Sequence, residues 1–274
     1  DLHSFPTRRS SDLEPGLGFD WPLGYADVAP YYDKVEMLIG VYGTNEGLEN
    51  TPDSSPGCLL PPPKPLVSEL LIKQRAGRLR IPVIPGHKAV LTQKLDSQRL
   101  PALLHPGNLN AQKILREAMQ SRAACFWATP CVRGCSIRAN YQSTTVHLPP
   151  ALATGKLDIV TDAMVREVFL DAKGLARGVK FIDRKTGKEC EARARVIVLA
   201  ASACETVRIL LNSKSAQFPQ GLANSSGKVG RYLMDTVGSD VQGQIPLLEN
   251  LPLHNEDGAS GDHMYPVLDR KSVV

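Results

Sequence analysis

The stretch Arg193-Ala-Arg-Val-Ile-Val-Leu-Ala-Ala-Ser-Ala-Cys-Glu-Thr-Val-Arg-Ile-Leu-Leu-Asn-Ser213 decides how this chain is read. Val196 to Ala200 is a short, continuous apolar run rich in β-branched residues, the pattern of a strand covered on both faces, as in a parallel sheet. Ala200 to Ala203 is then built from small side chains, which let the backbone lie close to something flat or bulky. From Glu205 the period becomes helical: Val207, Leu210 and Leu211 share one face and Arg208 lies on another. Strand, small-residue turn and helix follow in that order. In open α/β sheets ligands sit outside the carboxyl ends of strands, where such turns lie. An ordinary, tightly packed β–α unit has the same pattern, so this stretch alone leaves both readings open.

Working back towards the N-terminus, the period is two. Leu157 to Val160, Ala163 to Asp171, Ala176 to Asp183 and Glu189 to Leu199 read as successive strands, with Lys173-Gly174 and Thr186-Gly187 as hairpin turns. Before that meander come helices. One follows Asp27 and Pro30, with Tyr32, Val35, Leu38 and Ile39 at helical spacing. Others cover Val67 to Arg80 (inward Leu70, Leu71 and Leu79), Ala111 to Arg122 (inward Ile114, Leu115, Ala118 and Met119), and a short one within Ser143 to Leu152. Glu49 to Pro65 is Pro-rich and extended, and so is Ile81 to Pro85. Beyond the organising helix, Leu222 to Thr236 is a glycine-punctuated loop, and Val237 to Ile245 is a further strand candidate.

The composition narrows the function classes. A 42% hydrophobic share over 274 residues supports a real core, and 32 basic against 28 acidic residues is too even to argue for nucleic acid. No apolar run reaches the roughly 20 residues of a membrane helix. Asp1 to Leu13 and Asp269 to Val274 resemble translated sequencing adapter, so Glu14 to Leu268 is read as the natural segment, cut at both ends.

Cys125, Cys131 and Cys135 form a C-x5-C-x3-C run, unlike the paired spacing of a zinc site. By spacing alone, buried thiols are the leading reading, ahead of a Cys131–Cys135 bridge or an irregular surface loop. Cys190 and Cys204 read as core residues. His254-Asn255 lies in a polar loop rich in Pro and Gly; His87, His105 and His147 read as structural or exposed, and Arg133 and Arg138 as solvated. His263 to Pro266 reads as the start of a strand.

Five blocks, in order, resemble the glucose–methanol–choline (GMC) family of flavin oxidoreductases. They are Asp20-Trp21-Pro22 with Tyr25 to Tyr32; Gly134-Cys135 with Asn140 and Ser143; Gly155 to Val165; the organising stretch; and Val229-Gly230-Arg231-Tyr232-Leu233-Met234-Asp235. Thr236 departs from a histidine common in that last block. The resemblance implies an α/β fold: a partial Rossmann-like FAD-binding domain with a β-meander, plus the start of an antiparallel substrate domain. Residues 14–142 would hold its helices, loops and cysteines, residues 143–236 the meander, strand and helix, and residues 237–268 the start of the substrate domain.

The same resemblance implies site residues. Val165 would meet the FAD adenine through its backbone, Ala200, Ala201 and Ser202 would line the approach, and Glu205 would open the next helix. The family's sugar-dehydrogenase branch implies a 3Fe-4S cluster on Cys125, Cys131 and Cys135, for which thiolates are the expected ligands. The family's GxGxxG unit is expected before Glu14, and its catalytic histidine, with a second histidine or an asparagine, beyond Leu268. No catalytic residue is therefore assigned within this chain. The implied activity is FAD-dependent oxidation of a CH–OH group in a sugar, polyol or alcohol, with a small-molecule substrate and an electron-transfer partner. An oxygen-reducing oxidase of the same family, or a non-catalytic α/β binding module, are the alternatives.

Overall fold

Two aspartates and two glycines set the hairpin turns of the three-stranded sheet. In the first hairpin Asp171 Oδ1 accepts from the amides of Lys173 (2.9 Å) and Leu175 (3.0 Å). In the second, Asp183 Oδ1 accepts from Lys185 (2.8 Å) and Thr186 (3.1 Å). Gly174 and Gly187 then supply the positive φ, 79° and 69°, that closes each turn. The computed structural model describes residues 23–48, 52–126, 131–233, 243–250 and 264–266.

In chain order the elements are α1 (Tyr25–Ile39), α2 (Val67–Arg78), β1 (Val83–Pro85), α3 (Arg99–Leu104), α4 (Leu109–Gln120), α5 (Ser143–Val146), α6 (Leu148–Ala153), β2 (Ala163–Leu170), β3 (Ala176–Asp183), β4 (Glu189–Arg193), α7 (Ser202–Asn212) and β5 (Met264–Pro266). They divide into two compact units, Asp1–Leu157 with Val241–Val274, and Asp158–Asp240.

In the first unit α1 starts where the Asp27 carboxylate accepts the Gly24 amide at 2.8 Å, a reciprocal cap of the first turn. It ends at Gly40. One core cluster joins Leu100, Leu115 and Met119 of α3 and α4, with Met37 and Leu38 of α1 packed against it. The periodicity of α4 places Leu115 and Met119 inward, as expected. Helix α3 was not expected; Asp96 Oδ1 caps it by accepting the amides of Gln98 and Arg99. A second cluster joins Tyr42, Val90, Leu91 and Ala139 on segments linked by isolated bridges rather than by strands.

Two expected faces are corrected. Tyr32 and Val35 of α1 are exposed, and so are Leu70 and Leu79 at α2. The inward position of α2 is Glu69, 8% exposed. Its oxygens accept the amides of Leu66 (2.6 Å) and Met264 (3.0 Å), and a buried carboxylate so satisfied is tolerated. That second bond tethers β5, which pairs antiparallel with β1, so His263 to Pro266 does contain a strand. The expected fourth helix is two short ones, α5 and α6, meeting at His147.

In the second unit β2, β3 and β4 form an antiparallel sheet in that order. Helix α7 packs on it through Ile209, which is buried. The Ser213 hydroxyl, just past the helix, accepts the Val168 amide at 2.8 Å and donates to the Ile209 carbonyl at 2.6 Å.

Here the organising stretch departs from expectation. The ladder of β4 ends at Arg193, with Ala194 donating one last bond to the Arg177 carbonyl. Val196 to Ala200 pairs with no strand among the described residues. Exposure alternates along it, with Val196 77% and Val198 80% exposed and Ile197 and Leu199 half-buried. It therefore has the side-chain alternation of a strand without neighbours to pair with. Leu157 to Val160 is likewise not a strand. Helix and strand are mixed as the α/β expectation requires, but every described sheet is antiparallel. Of the strand candidate Val237 to Ile245, residues 237–242 lie outside the described residues, as does His254-Asn255, while Gly243 to Ile245 is not a strand.

Candidate functional site

The second unit carries an open, largely apolar groove of about 480 Å³. Val165 and Val179 of the sheet, the run Val196 to Ala201, and Ile209 of α7 line it. Three of the five expected cofactor residues, Val165, Ala200 and Ala201, thus meet at one concavity although 35 or more positions separate the first from the others in sequence. The volume lies in the range of small-ligand sites and suits a nucleotide-sized portion of a larger cofactor.

The other two, Ser202 and Glu205, stand at the start of α7. Ser202 has φ 71°, a left-handed conformation that a residue with a Cβ adopts at a cost of about 1–2 kcal/mol. Glu205 Oε2 accepts from Arg208 Nε at 2.8 Å. Arg208 Nη2 in turn donates to the Val165 carbonyl at 2.8 Å. Arg208 escaped the sequence reading, where it was only the polar face of α7; its signal was the Glu-x-x-Arg spacing that brings the two side chains together on one helical face.

The cysteine region sits in the first unit. Cys125 and Cys135 pack against the cluster of Tyr42, Val90, Leu91 and Ala139. Cys131 opens a 3₁₀ turn, Cys131–Arg133. The Asn140 amide donates to Cys135 Sγ at 3.5 Å. Burial and then the charges of Glu69, Cys125 and Cys131 push the Tyr42 phenol up to about 12, and its hydroxyl has no hydrogen-bond partner.

Arg122, only 6% exposed, donates to three backbone carbonyls: Arg138 (3.0 Å), Leu38 (3.3 Å) and Ile39 (2.7 Å). Burial pulls its guanidinium down to about 10, against the opposing influence of Cys135. Arg133 is exposed, and Arg138 donates to Ser121 Oγ at 2.9 Å at the surface.

The donor chemistry around these thiols suits negative charge. Yet among the described residues no three His, Cys, Asp or Glu side chains are grouped to hold a metal ion, and no disulfide forms. The three thiols are therefore not gathered into one ligand set: Cys131 follows its own turn, while Cys125 and Cys135 follow the core.

The remaining candidates resolve simply. Cys204 is exposed because the first turn of α7 faces outward, and Cys190 is half-buried on the edge strand β4, which corrects the core reading. His87 meets the Thr44 carbonyl at 2.9 Å, His147 meets the Tyr141 hydroxyl at 3.1 Å, and His105 is exposed. Among the described residues no helix is long and apolar enough to cross a membrane.

Comparison with known proteins bears on the family. The GMC oxidoreductase family model matches residues 18–238, which include every candidate cofactor residue and the three cysteines. The chain is 32% identical over 215 residues to a 2-methyl-1,2-propanediol dehydrogenase from Mycolicibacterium austroafricanum, covering 78% of this chain and 34% of that protein. It is 29% identical over 231 residues to a paromamine 6'-oxidase from Streptomyces fradiae, covering 84% and 37%. To the fructose dehydrogenase large subunit of Gluconobacter japonicus it is 28% identical over 225 residues, covering 81% and 36%. The chain spans about a third of the length of these curated relatives. FAD is the cofactor this family implies, and the small residues at the end of Val196 to Ala201 fit a flat group approaching their backbone. The chain belongs to the GMC oxidoreductase family.

Proposed function

We propose that this chain is part of an FAD-dependent dehydrogenase acting on a CH–OH group of a sugar, polyol or alcohol. The observation that carries the reading is the meeting of Val165, Ala200 and Ala201 in one apolar groove. Val165 supplies backbone and an apolar wall for the adenine. Ala200 and Ala201 keep side chains out of the flavin nucleotide's path, and Ser202 turns the chain into α7, where Glu205 fixes Arg208. FAD, held there, would supply the acceptor for a hydride from the alcohol carbon. Val196 to Ala200 is proposed to be one strand of a Rossmann-like parallel sheet, its alternating exposure being that of a strand.

The relatives' names support the substrate class: a diol and fructose are dehydrogenated, and paromamine is oxidised. The oxidase name keeps oxygen as an alternative electron acceptor. A 3Fe-4S cluster on Cys125, Cys131 and Cys135 is not part of this reading, because the three thiols are not grouped as a ligand set among the described residues.

The test uses the full-length protein. Bound FAD, bleached anaerobically by a diol or sugar and reoxidised by a dye faster than by oxygen, is the expected result. Rapid peroxide formation would favour the oxidase, and protein that takes up no FAD would end the reading. Iron and acid-labile sulfide near a 3:4 ratio would overturn the exclusion of the cluster; iron-free protein with full flavin and full dye activity would uphold it.

A further inference from the structure

Strand β2 is irregular where it borders the groove. Val165 pairs with Phe181 and Glu167 with Lys180, so Arg166 is an extra residue on β2, a β-bulge. Bulges re-aim the backbone beside them, and a carbonyl near one needs a partner of its own. At Val165 that partner comes from α7: Arg208 Nη2 donates to its carbonyl at 2.8 Å across 43 positions of sequence. The guanidinium is not left to choose its direction, because Glu205 Oε2 accepts its Nε–H, also at 2.8 Å.

The next residue of α7, Ile209, is buried and lines the same groove as Val165, Ala200 and Ala201. One side chain therefore joins the bulged wall of the groove to the helix that begins at its small-residue end. An exposed Glu–Arg pair alone contributes little. Arg208 is different because its fork reaches a part-buried carbonyl as well, and planar guanidinium geometry holds two acceptors at once.

We propose that Arg208 is a positioning residue for the nucleotide end of the cofactor. Oriented by Glu205, it fixes the Val165 carbonyl and with it the backbone wall against which the adenine lies. This rests on the FAD reading above. It adds that the Val165 carbonyl is fixed in direction by Arg208, so the adenine meets a backbone wall that is already formed.

The experiment compares the full-length apoprotein with Arg208→Met, Arg208→Lys and Glu205→Gln. Three quantities are read: affinity for FAD by quenching of flavin fluorescence, affinity for FMN, which lacks adenine, and the thermal midpoint of the apoprotein. The expected result is FAD affinity weakened by at least about tenfold in Arg208→Met, the loss set by one charge-assisted hydrogen bond. FMN affinity stays unchanged and the midpoint falls by a few degrees at most. Arg208→Lys should recover part of the loss. If Arg208→Met does not fold, Glu205→Gln carries the test, with a smaller loss in the same direction.

Unchanged FAD affinity overturns the inference. So does a parallel fall in FAD affinity, FMN affinity and midpoint, since that pattern belongs to a brace of the fold. Wild-type protein that takes up no FAD removes the flavin reading itself, and this inference with it.

Discussion

Arg122 shows how much a single residue is held by groups distant in sequence. Arg122 gathers the Leu38 and Ile39 carbonyls, at the C-terminal end of α1, with the Arg138 carbonyl. A cation there meets both orphan acceptors and the negative end of the helix dipole. Replacing it by Met relieves the desolvation of a buried charge but leaves three carbonyls short of a donor. The second effect should win, and Arg122→Met should lose about 2–3 kcal/mol in urea unfolding. A loss under about 0.5 kcal/mol would mean that water takes over its role. Ser202 is the opposite case, a residue held where its Cβ is unfavourable. Ser202→Gly should raise apoprotein stability by about 1 kcal/mol; a lower thermal midpoint would show that the hydroxyl contributes more than the strain costs.

At the level of elements, the meander is stabilised by its turns and by one charged ladder. Gly187 has φ 69° and open space around a would-be Cβ, so Gly187→Ala isolates the backbone cost. The expected loss is about 1 kcal/mol with no change in the sheet's circular dichroism. On the sheet Glu167 meets Lys180 Nζ at 3.2 Å and Arg166 Nη2 at 3.2 Å. Partial burial raises its carboxyl, but the bonds to Lys180 and Arg166 outweigh that and hold it below the ordinary value of 4.5. A carboxylate with a depressed folded pKa stabilises above its unfolded pKa and loses that contribution as pH falls through the folded one. Stability should therefore drop below about pH 4.5, and Glu167→Gln should flatten that part of the profile while costing up to about 1 kcal/mol at pH 7. Identical acid profiles for the two proteins would assign the drop to other carboxylates.

For the whole molecule, the apolar run Val196 to Ala200 matters most. With Val196 and Val198 largely exposed and no strand beside them among the described residues, the groove is open along the edge where a cofactor would need walls. Residues 14–268 expressed alone should therefore bind a hydrophobic dye strongly and FAD only weakly. Saturable micromolar FAD binding, with dye reduction driven by a sugar or alcohol, would show that this segment holds a complete site.

What the sequence determined by itself was local. The alternation of β2 and β3, the Asp and Gly of each hairpin and the amphipathic period of α4 are written in residues a few positions apart, whose preferences act without help from the rest of the chain. The family too was legible, because five short blocks keep their order. Tertiary structure decided the rest. Glu69 is inside α2's packing face because the Met264 amide, 195 positions away, reaches it. Val165 joins Ala200 and Ala201 because the sheet and α7 fold onto one another, and Arg208 becomes part of that wall through a bond spanning 43 positions. The run Val196 to Ala200 has the composition of a central strand, but pairing needs a neighbour, and composition cannot supply one. Periodicity records which side of an element is apolar; which partner covers that side is a property of the fold.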